Sequence, residues 1–246
     1  MDWIADPQIW IAFLTLTVLE LVLGIDNVIF ISILSGKLPA EQQKRARFIG
    51  LLLALGMRVL LLLSLSWIIG LTAPLFGIFG HEFSGRDLVL LIGGLFLIGK
   101  STHEIHGSLE GEEGTGSRRS YPGFTSVIIQ IMLLDIVFSL DSVITAVGMV
   151  NIVPVMIAAI ILAVLVMIFI ANPIGDFIDR NPTIKMLALA FIILVGVALV
   201  CDGLGIHIAR GYLYFAMAFS AAVESLNLLA RRRRRQRKAK ESSGER

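Results

Sequence analysis

The chain of 246 residues holds a single cysteine, Cys201. An internal disulfide is thereby excluded, and so is a metal cluster built from thiolates. Charge is also scarce: Asp, Glu, Lys and Arg make up 16% of the residues, against about 25% in soluble domains. No GxxxxGK[ST] loop is present to cradle nucleotide phosphates. The opening stretch, "MDWIADPQIW", has no basic segment ahead of its apolar run, so a cleaved signal peptide is not expected and the first helix is read as retained.

Apolar sequence fills the space that charge leaves. The chain is 56% hydrophobic, with a mean hydropathy of +0.85. Runs such as "FIGLLLALGMRVLLLLSLSWIIGL" exceed the ~20 residues that a bilayer-spanning helix needs. Seven apolar segments follow one another, at about 9–34, 48–71, 88–102, 124–150, 153–178, 184–201 and 212–230. Lipid-facing backbone must satisfy its own hydrogen bonds, so each is expected to be a helix. The fold class is all-α and integral to the membrane. Turn-forming connectors separate the segments: "GKLP", "TAPLFGIFG", "EGEEGTGSRRS", "NIVP" and "DRNP".

The positive-inside rule tests the count. With the N-terminus outside, inside loops hold Lys37, Lys44, Arg45, Arg47, Arg118, Arg119, Arg180, Lys185 and the nine basic residues after Ala230. Outside loops hold only Arg86 and Arg210, and Arg58 and Lys100 fall within helices. One helix more or fewer would scramble this bias. Seven helices with the C-terminus inside are therefore expected. The tail "RRRRRQRKAKESSGER" reads as an anchor for anionic lipid at the cytoplasmic face, and no nucleic-acid partner is expected.

Carboxylates interrupt this apolar background in a repeating pattern. "LELVLGIDNVIFIS" (19–32) superposes on "LLDIVFSLDSVITA" (133–146). Glu20 falls on Asp135, Asp26 on Asp141 and Asn27 on Ser142, at an offset of 115 residues. In "GLFLIGK" and "GVALVCD", Gly94 matches Gly196 and Lys100 matches Asp202. Two consecutive three-helix units must face opposite ways, because three crossings reverse the side of entry. The pattern predicts an inverted repeat of helices 1–3 (about 9–103) and 4–6 (about 124–209). Helix 7 (about 211–230) is appended, completing a transporter domain over 1–230 with a basic tail over 231–246. Transporters of this architecture hold their substrate near the midplane, where the repeats meet.

A charged side chain at the bilayer centre costs roughly 2.5–3.5 kcal/mol. Glu20, Asp26, Asp135 and Asp141 must therefore be paired, protonated, hydrated or bound to a cation. Internal pairing with Arg58 and Lys100 alone leaves acids over, since Asp202 and Glu224 also need partners. Glu20 and Asn27, seven residues apart, share one helical face, and Asp26 lies about 120° from Glu20. Gly24, between them, would permit a local break. A cavity lined by Glu20, Asp26, Asn27, Asp135, Asp141 and Ser142 is rich in oxygen and free of thiolate. Hard divalent ions such as Mn²⁺, Mg²⁺ or Ca²⁺ suit it better than Cu⁺ or Zn²⁺. His81, His103, His106 and His207 fall in a loop or near helix ends and read as interfacial. Lys100, Asp202, Glu224 and Arg58 are candidates for gating or proton coupling, with Lys100 and Asp202 expected as an ion pair that opens and closes.

The motifs "ELVLGIDNVIFI", "DIVFSLDSV", "KSTHEIH" and "DGLGIHIARGYLYFAMAFSAAVESLN" also carry a resemblance. The chain resembles the TerC family of the LysE transporter superfamily, most of all its short bacterial members, over nearly its whole length. The resemblance implies seven transmembrane helices in the inner membrane and export of a divalent metal, best supported for Mn²⁺. It also implies a link to tellurium resistance. Glu20, Asp26, Asp135 and Asp141, with Asn27 and Ser142 beside them, are the positions the resemblance carries over. Some members continue into cytoplasmic regulatory domains, whereas this sequence passes into the basic tail. The expected function is secondary export of a divalent cation, driven by proton or Na⁺ exchange, with no tightly bound cofactor and no enzymatic step. A membrane assembly factor, an intramembrane protease and a transporter of amino acids or organic cations are the alternatives.

Overall fold

The computed structural model describes residues 6–64, 72–78, 81–109, 122–149 and 152–244; within these, the side chains of 78, 81, 141, 142, 144–149 and 231–244 are not described. Seven helices run through the described residues: α1 (Pro7–Ser35), α2 (Ala40–Leu63), α3 (Gly85–Leu109), α4 (Phe124–Met149), α5 (Val153–Arg180), α6 (Pro182–Gly203) and α7 (Arg210–Gly244). Local sequence starts them in recognisable ways. Asp6 caps α1 by accepting from the Gln8 amide at 2.9 Å, with Pro7 in the first turn. Pro154 and Pro182 likewise fall in the first turn of α5 and α6. Ser84 and Asp87 form a reciprocal box ahead of α3: the Asp87 amide donates to Ser84 Oγ at 3.2 Å, and the Ser84 amide to Asp87 Oδ2 at 2.9 Å.

Six helices are long and apolar enough to cross a membrane: α1, α2, α3, α5, α6 and the 210–230 part of α7. The apolar stretch Phe124–Leu140 of α4 is the shorter companion among the described residues. Large apolar side chains face outward along these helices, with Phe169 79% exposed and Ile92 69% exposed. In water such a surface would aggregate; in lipid it is the ordinary solvent-facing side. One connector departs from the expectation of a simple loop. Within "TAPLFGIFG" and the residues after it, β1 (Pro74–Ile78) and β2 (His81–Ser84) form an antiparallel hairpin, with the Phe76 and Phe83 rings stacked 5.5 Å apart.

The helices pack in a distinctive order. α1 lies along α5, α2 along α4, and α3 along α6, with further contacts of α2 on α5 and α1 on α4. α7 touches the rest of the bundle chiefly through α6. The buried core is shared by α1 to α6 and includes Val28, Leu62, Leu97, Leu134, Met167 and Leu189.

Two glycine positions set these approaches. At the α3–α6 crossing, a Cβ on Gly94 would lie 2.6 Å from the Gly196 carbonyl oxygen, and one on Gly196 would lie 2.9 Å from the Gly94 carbonyl oxygen. Only the missing side chains let the two backbones touch, as small residues do in membrane bundles. Gly94→Val is expected to force the helices apart and cost about 1–3 kcal/mol, in the range of core overpacking. Gly99→Ala on the same helix, where a Cβ meets nothing within 4 Å, is the matched control and is expected to be neutral. Thermal inactivation rates in one detergent compare the two.

Gly24 is the second position, and it corrects an expectation. α1 is continuous from Pro7 to Ser35 and does not break at Gly24. A Cβ there would run into the Met167 thioether of α5, so the glycine serves close helix packing.

One end of the bundle is tied together by ions. Arg47 of α2, 1% exposed, donates to Ser35 Oγ at 3.0 Å, Asp176 Oδ1 at 3.3 Å and Asp179 Oδ2 at 3.2 Å. A Cβ on Gly175 would displace its guanidinium. Lys37 pairs with Glu104, and Lys185 reaches the same carboxylate at 3.9 Å.

Candidate functional site

The α1 helix presents Glu20 and Asn27 on one buried face, as their seven-residue spacing requires. Opposite them lie Arg58 of α2 and Asp135 of α4, each 3% exposed. Arg58 forms an ion pair with Glu20 through Nη1. Its Nε and Nη2 donate to Asp135 Oδ1 at 3.2 and 3.0 Å. Asn27 Nδ2 donates to the same oxygen at 3.3 Å, and Ser139 Oγ donates to Oδ2 at 3.1 Å. Asp135 thus draws donors from three helices, and one guanidinium is shared by two buried acids. Such a cluster is tolerated in a low-dielectric interior because Arg58 reaches both carboxylates and both Asp135 oxygens accept hydrogen bonds.

Asn27 has one oxygen unengaged. Its amide nitrogen is committed to Asp135, and the carbonyl oxygen, in a side chain 5% exposed, has no hydrogen-bond partner among the described residues. Asn27, Asp26 and Arg58 line a cavity of about 50 Å³, together with Asp202 of α6 and Arg210 and Tyr214 of α7. That is room for one or a few waters or a partly hydrated ion. Leu23, Phe138, Val195 and Leu199 form much of its apolar wall. Asp26 is half-buried here, on the side of α1 away from Glu20, as the helical angle requires.

The chain therefore brings Glu20, Asp26, Asn27 and Asp135 to one region and adds Arg58 as their shared counter-charge. The side chains of Asp141 and Ser142 lie outside the described residues. Among the described residues, no three His, Cys, Asp or Glu side chains gather as a metal cluster. Arg58 pairs with both Glu20 and Asp135.

Lys100 and Asp202 do not form the expected ion pair. Asp202 Oδ1 is 3.1 Å from His207 Nδ1, and Lys100 is close to Glu104 and Lys37. Antiparallel crossing at Gly94 and Gly196 explains this. Six residues onward at ~1.5 Å each carries the two side chains about 9 Å in opposite directions from the crossing. Glu224 lies far along α7 and accepts from Asn227 Nδ2 at 3.3 Å; it is not among the residues lining the cavity. Ser139, Arg210 and Tyr214 were not singled out from the sequence. Arg210 carried a signal nonetheless, as one of two basic residues expected outside the membrane.

Comparison with known proteins places the chain in a family. A model of the "Integral membrane protein TerC family" matches residues 5–239. The chain belongs to the TerC family. It is 58% identical over 232 residues to a "UPF0053 protein" of Haemophilus influenzae, covering 94% of this chain and 98% of that protein. It is 56% identical over 227 residues to the "UPF0053 inner membrane protein YgdQ" of Escherichia coli K12, covering 92% and 95%. A longer relative, the "UPF0053 inner membrane protein YoaE" of the same strain, is 50% identical over 233 residues, which make up 45% of its length. No solved structure matches. This TerC-family protein is a multi-pass protein of the inner membrane, with its buried acids inside the shared region.

Proposed function

We propose that this TerC-family protein is a secondary transporter that exports a divalent metal cation, Mn²⁺ first among the candidates, in exchange for protons or Na⁺. One observation carries the reading: a buried carbonyl oxygen without a partner among the described residues, Asn27 Oδ1, lines a small cavity beside the Asp26 carboxylate. A buried acceptor without a donor is costly, and a cation meets its need. Charge supports the same conclusion. With Glu20, Asp26 and Asp135 ionised, Arg58 offsets one charge and two negative charges remain. Arg210 and Asp202 offset each other at the mouth. Among the described side chains, one divalent ion balances the site, and so do two protons, which supplies a route for exchange. The oxygen donors and the absence of thiolate favour Mn²⁺, Mg²⁺ or Ca²⁺ over softer ions.

In this reading seven helices cross the membrane, with the N-terminus outside and the C-terminus inside. The helices form an inverted repeat, 1–3 against 4–6. Support comes from the packing: exchanging α1 with α4, α2 with α5 and α3 with α6 turns the α1–α5 contact into the α4–α2 contact. The same exchange maps the Gly94–Gly196 crossing onto itself. The Arg47 and Glu104 ion networks then close the inner face, and the cavity opens toward the outer end of α6 and α7. The basic tail would contact anionic lipid.

Purified protein in liposomes tests the function. Mn²⁺ flux driven by an imposed pH or Na⁺ gradient is expected, with Mg²⁺, Ca²⁺ and Zn²⁺ ranking the selectivity. No flux of any of the four ions under either gradient would reject export and favour an assembly role.

A further inference from the structure

We propose that Arg210 is a tethered counter-cation: it holds the Asp26 mouth of the cavity until a divalent ion displaces it, and so sets a threshold against monovalent ions. The proposal rests on the cation-site reading above and assigns a role to a residue which that reading leaves as part of the wall.

Arg210 is the first residue of α7, directly after the turn that leaves α6. Gly205 makes that turn possible with a left-handed φ of 78°. Arg210 and Tyr214, one helical turn apart, line the same cavity wall, and the guanidinium charge acts on the Tyr214 hydroxyl and on Asp26. Asp26, Asp202, Arg210 and Tyr214 all line the same cavity. The guanidinium thus has a second acid within the same chamber. α7 can follow its movement, because the helix packs chiefly on α6 and none of its apolar span is buried in the bundle.

Charge alone separates the ions that can displace it. A monovalent ion taking over from the guanidinium as the counter-charge of Asp26 exchanges one positive charge for another. It must also shed water and draw the guanidinium away from Tyr214, so the exchange is unfavourable. A divalent ion at the same distance doubles the Coulomb attraction and gains the Asn27 carbonyl oxygen as a donor. The released guanidinium then moves to Asp202, where it places positive charge at the mouth behind the bound ion.

Mn²⁺ binding to the full-length protein in lipid nanodiscs, measured by titration calorimetry with and without Na⁺, tests this. Arg210→Gln is expected to bind Mn²⁺ on the order of tenfold tighter than wild type, a typical size for coupling between linked events. Its Mn²⁺ binding should also become sensitive to Na⁺. Arg210→Lys keeps the charge and should stay near wild type. Tyr214→Phe, a mild change that only loosens the guanidinium, should move a few-fold in the direction of Arg210→Gln. Wild-type binding with unchanged or weaker affinity in Arg210→Gln and no Na⁺ sensitivity overturns the proposal alone. Unchanged affinity in Tyr214→Phe overturns it even if Arg210→Gln fails to fold. No Mn²⁺ binding by any form overturns the cation-site reading, and this proposal with it.

Discussion

Arg58→Leu is expected to destabilise the folded protein by about 3–5 kcal/mol, the usual result of removing one partner from a buried ion pair. Against a total stability of about 5–15 kcal/mol, such a loss brings the protein near unfolding. The cause is specific. Arg58 is the counter-ion that Glu20 and Asp135 share, and both acids are almost fully buried. Without it two carboxylates remain together in low dielectric, and they must take up protons or water. Replacing the whole cluster separates charge from packing. Arg58→Met with Glu20→Gln and Asp135→Asn leaves no buried charge there and is expected to recover most of the stability. Because membrane proteins often unfold irreversibly, the half-life at elevated temperature in one detergent is the measurement. Equal half-lives for wild type and Arg58→Leu would show that the cluster does not hold the fold together.

Asp26→Asn is expected to lower Mn²⁺ flux at least about a hundredfold while leaving that half-life unchanged. The two acid sets differ in what they touch. Glu20 and Asp135 are both engaged by Arg58, whereas Asp26 faces the cavity and shares it with Arg210. A unit-charge pair at 4 Å in an effective dielectric near 20 is worth about 4 kcal/mol. A hundredfold change needs only about 2.7 kcal/mol, so losing one carboxylate from a divalent ion's shell suffices. Asp26→Glu keeps the charge and should retain part of the flux. Liposome uptake compares the three forms, and wild-type flux in Asp26→Asn would remove Asp26 from the transport path.

The pair of predictions divides the acids differently from the sequence pattern. Read along the chain, Glu20 and Asp26 form one set and Asp135 and Asp141 its duplicate. In the folded protein, Glu20 and Asp135 come from different helices to meet at Arg58, and Asp26 turns away into the cavity. Helical angle anticipated that separation, because six residues cannot share a face. It could not say which acid would be neutralised, since that depends on where α2 lies against α1 and α4.

Much else was legible in the primary structure. Apolar runs of membrane length, their polar connectors and the scarcity of charge determined a multi-pass helical membrane protein, because lipid leaves backbone no other partner than itself. The motifs around Glu20 and Asp135 carried the family, and the lone cysteine ruled out an internal disulfide and a cluster built from thiolates. Several features were decided only by tertiary structure. Gly24 packs against Met167 and does not break its helix. Lys100 and Asp202, equivalent in the repeat pattern, lie on opposite sides of the Gly94–Gly196 crossing. Arg210 enters the chamber of Asp26, although in sequence it belongs to a connector 184 residues away. Hydropathy and spacing govern what one helix must do in lipid. Which charges meet is set by how the helices cross, and the glycines that allow the crossings act only when a second backbone arrives.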